Sequence, residues 1–164
     1  MSADEIAALS LAEVAEKIAS KEISSVETTE AALDRIRRYG AKLHAIVHCD
    51  GDAAIEAAKG ADADLAAGTV RGPLHGVPLA HKDMYYRAGW TAACGSNILA
   101  DYVPDVTSTA ITRLDEAGAL DIARLNMVEF AFGPTGHNDV AGTPRNPWNT
   151  DYITGGSSSG SGAA

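Results

Sequence analysis

A chain of 164 residues, 46% hydrophobic and 21% charged, has the composition of one globular domain with a real core, which sets aside a disordered or fibrous protein. Thirteen basic against 22 acidic side chains give a net charge of −9, so nonspecific binding to nucleic acid, which depends on neutralising phosphates, is not expected. No apolar run reaches membrane-spanning length, and Met1-Ser2-Ala3-Asp4-Glu5 lacks the layout of a secretory signal; a cytoplasmic protein with no membrane contact is the expectation.

Leu11, Val14, Ala15 and Ile18 recur at helical spacing. Ser24 with Glu27 forms a capping box that opens a second helix carrying Val26, Thr29, Leu33 and Ile36, with Arg35, Arg37 and Arg38 near its end and Gly40 as its stop. Leu43 to Cys49 reads as a short strand. Asp50-Gly51-Asp52 then opens an Ala-rich helix with Ile55, Ala58 and Leu65, interrupted at Gly60. That acidic run is no calcium loop, because Ala61 stands where the bidentate Glu belongs.

Beyond Gly68 the chain turns glycine- and proline-rich, and Gly72-Pro73-Leu74-His75-Gly76-Val77-Pro78 cannot be regular helix. A short strand ending near Lys82 follows. Val106, Ala110, Ile111, Leu114 and Ala117 predict a helix capped by Asp105 and closed by Gly118, and Ala119 to Leu125 a further strand. This alternation predicts α/β architecture, in which functional residues gather where strands end. Residues 1–70 read as an N-terminal helical segment and 71–164 as the first part of the core of the same domain. From Gly133 to Gly162 little periodicity survives, yet Trp148 and Tyr152 argue for an ordered loop over a flexible spacer. Gly162-Ala163-Ala164 resembles the first turn of a helix, and the chain is expected to be incomplete at its C-terminus.

Serine attacks an amide only with a base beside it, and lysine serves as that base only when burial or positive neighbours lower its pKa. Lys82, at a strand end after Val77-Pro78-Leu79-Ala80, meets the requirement, and Asp83 next to it points to the opposite face. A lone lysine is ordinarily a solvated charge and a Gly/Ser run ordinarily a linker. The two occur together here: Gly76-Val77-Pro78-Leu79-Ala80-His81-Lys82-Asp83 is followed, 75 residues after the lysine, by Ser157 in Gly155-Gly156-Ser157-Ser158-Ser159-Gly160. A phosphate loop is set aside because no Gly-Lys-Ser/Thr follows the glycines. A Ser-His mechanism through His81 or His137 is weaker, since His81 faces away from Lys82 and His137 reads as a structural loop residue. Cys49 and Cys94 form neither a disulfide framework nor a metal motif, and no His/Asp/Glu cluster has zinc-ligand spacing; no metal and no cofactor are expected.

The lysine motif and the serine run resemble the amidase signature family, as do Gly95-Ser96, Asn126-Met127-Val128-Glu129-Phe130 and Gly142-Thr143-Pro144-Arg145-Asn146-Pro147-Trp148, so that the likeness extends over residues 72–164. Ser159 and Gly162 stand where the family usually has glycine and alanine, and Asp121 and Arg124 are unusually charged for the family's buried strand. The resemblance implies a mixed β-sheet flanked by helices. It also implies a Ser-Ser-Lys triad in which Lys82 is the base, Ser157, preceded by a cis peptide bond, relays the proton, and a nucleophilic serine follows in a second Gly-Gly-Ser motif that these residues do not contain. Gly155, Gly156 and Ser158 are expected to support the loop and the substrate.

The reaction so implied is hydrolysis of a carboxamide to a carboxylate and ammonia or an amine through an acyl-serine, with residues 1–164 inactive by themselves. Two alternatives stand beside it: one component of a tRNA-dependent glutamine amidotransferase, which alone would bring a nucleic-acid partner, and a noncatalytic remnant or interaction fragment. The expected partner is a small-molecule amide, and a homodimer stays open.

Overall fold

A computed structural model describes residues 1–164. The elements run α1 (Ala3–Ala7), α2 (Leu11–Ala19), α3 (Ser25–Leu43), β1 (Ile46–Cys49), α4 (Gly51–Ala66), β2 (Pro78–Lys82), α5 (Thr109–Glu116), β3 (Leu120–Leu125) and α6 (Ser159–Ala163), with single 3-10 turns at Asn97–Leu99 and Glu129–Ala131. The strands form one sheet in the order β1-β3-β2. β1 pairs antiparallel with β3, His48 opposite Arg124 and Cys49 opposite Ala123. Leu120 N–H donates to the Val77 carbonyl and Asp83 N–H to that of Leu125, so residue numbers rise together along β2 and β3 and that pair is parallel. The sheet is therefore mixed and flanked by helices. No helix is long and apolar enough to cross a membrane.

The chain divides into two compact units. The first comprises Met1–Arg37, Asp50–Leu79 and Thr112–Ile122. Its core is Val14, Ile18, Ile23 and Val77, against which Leu9, Ala15, Leu65, Leu74 and Leu79 pack. Fully burying an aliphatic side chain of this size contributes about 1.5–3 kcal/mol, so the cluster is a main source of the unit's stability. α1 and α2 each start with a capping box, Ser2 with Glu5 and Ser10 with Glu13. Ser24 and Glu27 exchange the same bonds at the start of α3, and the Asp62 carboxylate of α4 takes the Ser25 and Val26 N–H groups at 2.7 and 3.1 Å. The turn before β2 is tied in by Ser25 Oγ, which donates to the Gly76 carbonyl, and by the buried His75 ring, whose Nδ1 accepts from Arg71 N–H while Nε2 bonds the Ala61 carbonyl.

Several boundaries differ from the sequence expectation: β1, expected from Leu43, begins at Ile46, and α6 begins at Ser159, before the Gly162 turn. α3 does not stop at Gly40 but runs a turn further to Leu43, and His44, with φ of 51°, ends it. α4 is not interrupted at Gly60: that residue faces open space while Ala54, Ala58 and Ala61 fill the buried side, so the helix loses no packing there. α5 begins only at Thr109, and Val106, assigned to its apolar face, is exposed.

The second unit comprises Arg38–Cys49, Ala80–Ile111 and Ala123–Ala164. Its long loops are held by buried amide side chains. Asn126 Nδ2 donates to the His44 and Gly142 carbonyls at 2.9 and 2.8 Å, its Oδ1 accepts from Met127 N–H, and its main chain bonds Ala45 and Gly160. Asn138 Nδ2 reaches the Gly95 and Met127 carbonyls at 2.9 and 2.7 Å, while its Oδ1 accepts from Val140 and Ala141 N–H. Residues 145–153 are ordered by local, exposed bonds instead: Asn146 and Asn149 cap their own turns and Arg145 bridges Ile153. Trp148 and Tyr152, read as signs of an ordered loop, are 95% and 65% exposed; the loop is ordered by its asparagine and main-chain bonds.

Candidate active site

β2 carries Lys82 to its C-terminal end, in the second unit, and one further parallel hydrogen bond, Asp83 N–H to the Leu125 carbonyl, fixes the chain there. The lysine is 8% exposed. Burial lowers its pKa from the ordinary 10.5, since an ammonium loses its hydration and gains no carboxylate partner, and only Cys94 acts in the opposite direction. Its Nζ lies 2.8 Å from Ser157 Oγ and 3.0 Å from Ser158 Oγ. An ammonium donates to both hydroxyls; a neutral amine keeps a lone pair able to accept the Ser157 proton.

The serine run is placed by close backbone packing. Val128 N–H donates to the Ser157 carbonyl, Gly160 N–H to that of Asn126, and the Gly156–Ser157 peptide bond is cis. A Cβ on Gly156 would lie 2.8 Å from the Gly136 nitrogen and one on Gly160 2.4 Å from the Asn126 nitrogen, so only glycine admits this approach. Gly155 has φ of 76° and its carbonyl accepts from Thr154 Oγ1.

The sequence-predicted residues thus meet: Lys82 and Ser157, 75 residues apart in the chain, are in direct contact, with Gly155 and Gly156 immediately before the serine. Ser158, read as loop support, also reaches the lysine. The Ser159 hydroxyl is buried and takes no hydrogen bond. His81 is buried and His137 bonds Thr135 at an exposed position. No group of three or more His, Cys, Asp or Glu that could hold a metal comes together.

Other residues near the site received no role from sequence reasoning. Ser96 Oγ donates to Glu129 Oε1 at 2.6 Å and its lone pair accepts Ile98 N–H, joining the loop after β2 to the one after β3. Asn126 and Glu129 lay within a quoted motif, but nothing in it assigned them bonds. Asn138 carries no local signal, because its partners lie 11 and 43 residues away.

A buried lysine bonded to two hydroxyls of a glycine-rich turn, at the end of a strand in a mixed sheet, is a base-and-relay arrangement suited to acyl transfer at serine. The chain belongs to the amidase family, whose model matches residues 27–164. It is 44% identical over 152 residues to a glutamyl-tRNA(Gln) amidotransferase subunit of Acidothermus cellulolyticus, a match covering 93% of this chain and 30% of that protein. Among solved structures it superposes on fatty acid amide hydrolase with a TM-score of 0.92 at 28% identity, covering 98% of this chain and 28% of that one. For the peptide amidase of Stenotrophomonas maltophilia the values are 0.87 and 33%, covering 96% and 34%. The chain spans about a third of the length of these relatives.

Proposed function

We propose that this chain supplies the base and the proton relay of an enzyme that hydrolyses a carboxamide to a carboxylate and ammonia or an amine. The observation that carries the reading is the 2.8 Å contact between a buried Lys82 and Ser157. In this scheme the neutral Lys82 amine takes the Ser157 proton as Ser157 takes that of a nucleophilic serine, which the family resemblance sets beyond residue 164. The serine oxygen bonds to the amide carbon, the same protons return through Ser157 to the leaving nitrogen, and water then releases the carboxylate from the acyl-serine. Ser158 is the second hydroxyl on the amine and keeps it aimed at the turn. Residues 1–164 by themselves are expected to show no turnover.

The test is amide hydrolysis by the intact protein with Lys82→Ala and Ser157→Ala. Both should abolish acylation near neutral pH; unchanged rates would remove the pair from the mechanism and favour a noncatalytic remnant.

A second reading, one component of a tRNA-dependent glutamine amidotransferase, is favoured by the name of the curated relatives at 43–45% identity. With a net charge of −9, this part of the protein is poorly suited to direct tRNA contact, and partner proteins would provide it. Glutamine hydrolysis that appears only with partner proteins and charged tRNA supports this reading; partner-independent cleavage of simple amides supports the first.

A further inference from the structure

The chain leaves β3 through a turn in an unfavourable conformation: Phe130 and Ala131 have φ of 48° and 58°, which residues with a side chain rarely adopt. Such backbone persists only where its surroundings fix it. Residues 94–96 do so with three sets of bonds. Phe130 N–H donates to the Cys94 carbonyl at 2.9 Å. Asn138 Nδ2 donates to both the Gly95 and the Met127 carbonyls. Glu129 Oε1 accepts the Ser96 hydroxyl at 2.6 Å, as short as hydroxyl–carboxylate bonds generally are. Ser96 is 1% exposed, and Ile98 N–H occupies its oxygen from the other side, so its proton is given to the carboxylate. Glu129 itself lies at an exposed position, where a carboxylate is ordinarily left to water; the buried hydroxyl ties it down instead.

What this turn presents to the site is Val128. Its N–H donates to the Ser157 carbonyl at 3.0 Å, and its Cγ2 lies so near Gly156 that a Cβ there would be 3.0 Å from it. The Ser157 hydroxyl, on the same residue as that carbonyl, is 2.8 Å from Lys82 Nζ. We propose that Glu129 is a positioning residue for Ser157: its bond to Ser96 fixes the turn that brings Val128 N–H to the Ser157 carbonyl, and so keeps the Ser157 hydroxyl on the Lys82 amine. The inference rests on the proposed role of Ser157 as proton relay. Glu129 acts on the reaction through the main chain and not on the reacting groups.

Two measurements on the intact protein test this. Hydrogen exchange at the Val128 N–H needs no substrate; it should be about tenfold faster in Glu129→Ala and in Ser96→Ala, as for a lost or weakened hydrogen bond. In Glu129→Gln, whose amide oxygen still accepts the Ser96 hydroxyl, it should stay near the original rate. Unchanged exchange in Glu129→Ala, or a glutamine variant as fast as the alanine one, overturns the proposal. Should Glu129→Ala not fold, Ser96→Ala takes its place, and unchanged exchange there has the same meaning. Turnover of benzamide or glutamine reads the consequence. In Glu129→Ala kcat should fall by about 10–100-fold with KM little changed, the pattern of a misplaced catalytic group, and Glu129→Gln should recover most of it. A raised KM at unchanged kcat would make Glu129 a substrate contact and overturns the proposal. Glu129→Ala and Ser96→Ala together should cost no more than either alone, because both remove one bond; additive losses overturn it. Hydrolysis by Lys82→Ala tests the functional reading separately. Activity surviving there alongside fast Val128 exchange in Glu129→Ala leaves the tie standing and removes the reaction.

Discussion

The two units are stabilised in different ways. The first relies on an aliphatic cluster around Ile18 and on helix ends closed by Ser2, Ser10, Ser24 and Asp62. The second, which holds Lys82 and Ser157, relies on buried polar side chains, above all Asn126 and Asn138, that bond main-chain groups of distant loops. Apolar packing is nondirectional and tolerates substitutions of similar volume. A buried amide is directional, and losing it strands several main-chain groups at once. The region that must hold a lysine 2.8 Å from a serine is thus built from the less forgiving kind of contact.

The largest effect expected is chemical: Lys82→Ala should lower amide hydrolysis by about 10²–10⁴-fold, the usual contribution of a positioned acid–base group, as measured by kcat/KM. The profile of rate against pH sharpens this. Because burial holds Lys82 below 10.5, the active neutral amine accumulates as pH rises through that lowered value, and the rate should climb and level off before the ordinary lysine range. A rate still rising through pH 10.5 would show an unperturbed base.

Next comes stability. Ile18→Ala and Asn126→Ala should each cost about 2–5 kcal/mol in denaturant unfolding, for lost packing and for stranded polar groups respectively. Leucine separates them: Ile18→Leu should cost less than about 1.5 kcal/mol, whereas Asn126→Leu should remain as damaging as alanine. Equal tolerance at the two positions would end the contrast between the units. Asp62→Ala, which removes the carboxylate from the first N–H groups of α3, should cost about 1–2 kcal/mol.

The smallest effect is the acid response of the caps. Hydrogen bonds from Ser24 lower the Glu27 pKa from 4.5, so its contribution is present above that value and disappears as pH falls through the folded value. Glu27→Gln, which removes the carboxylate that both the Ser24 N–H and hydroxyl bond, should flatten this part of the stability–pH curve, and an unchanged curve would remove the cap from the account.

Much of the first unit was legible because its signals are local. Helical periodicity marked α2, and Ser24 with Glu27 the start of α3. Where reading failed, the cause was also local: a glycine at 40 or 60 is tolerated inside a helix when the surrounding turns are packed or face open space. In the second unit, Lys82 and the glycine–serine run could be read as a pair, because the contact needs specific residue types at both ends. Trp148 and Tyr152 pointed to an ordered loop, but the order comes from local asparagine bonds and not from burial of the rings.

The sequence by itself determined most of the helices and strands, though not α1 or several bounds, together with the family and the two side chains whose chemistry belongs together. Only the tertiary structure decided that Lys82 is dry, that Ser158 joins Ser157 on its amine, and that the Asp83 carboxylate accepts the Gly95 N–H, 12 residues on. Periodicity and capping are set by neighbours within a few residues, whereas burial and hydrogen-bond partners depend on segments 11 to 76 positions apart, brought together only by folding.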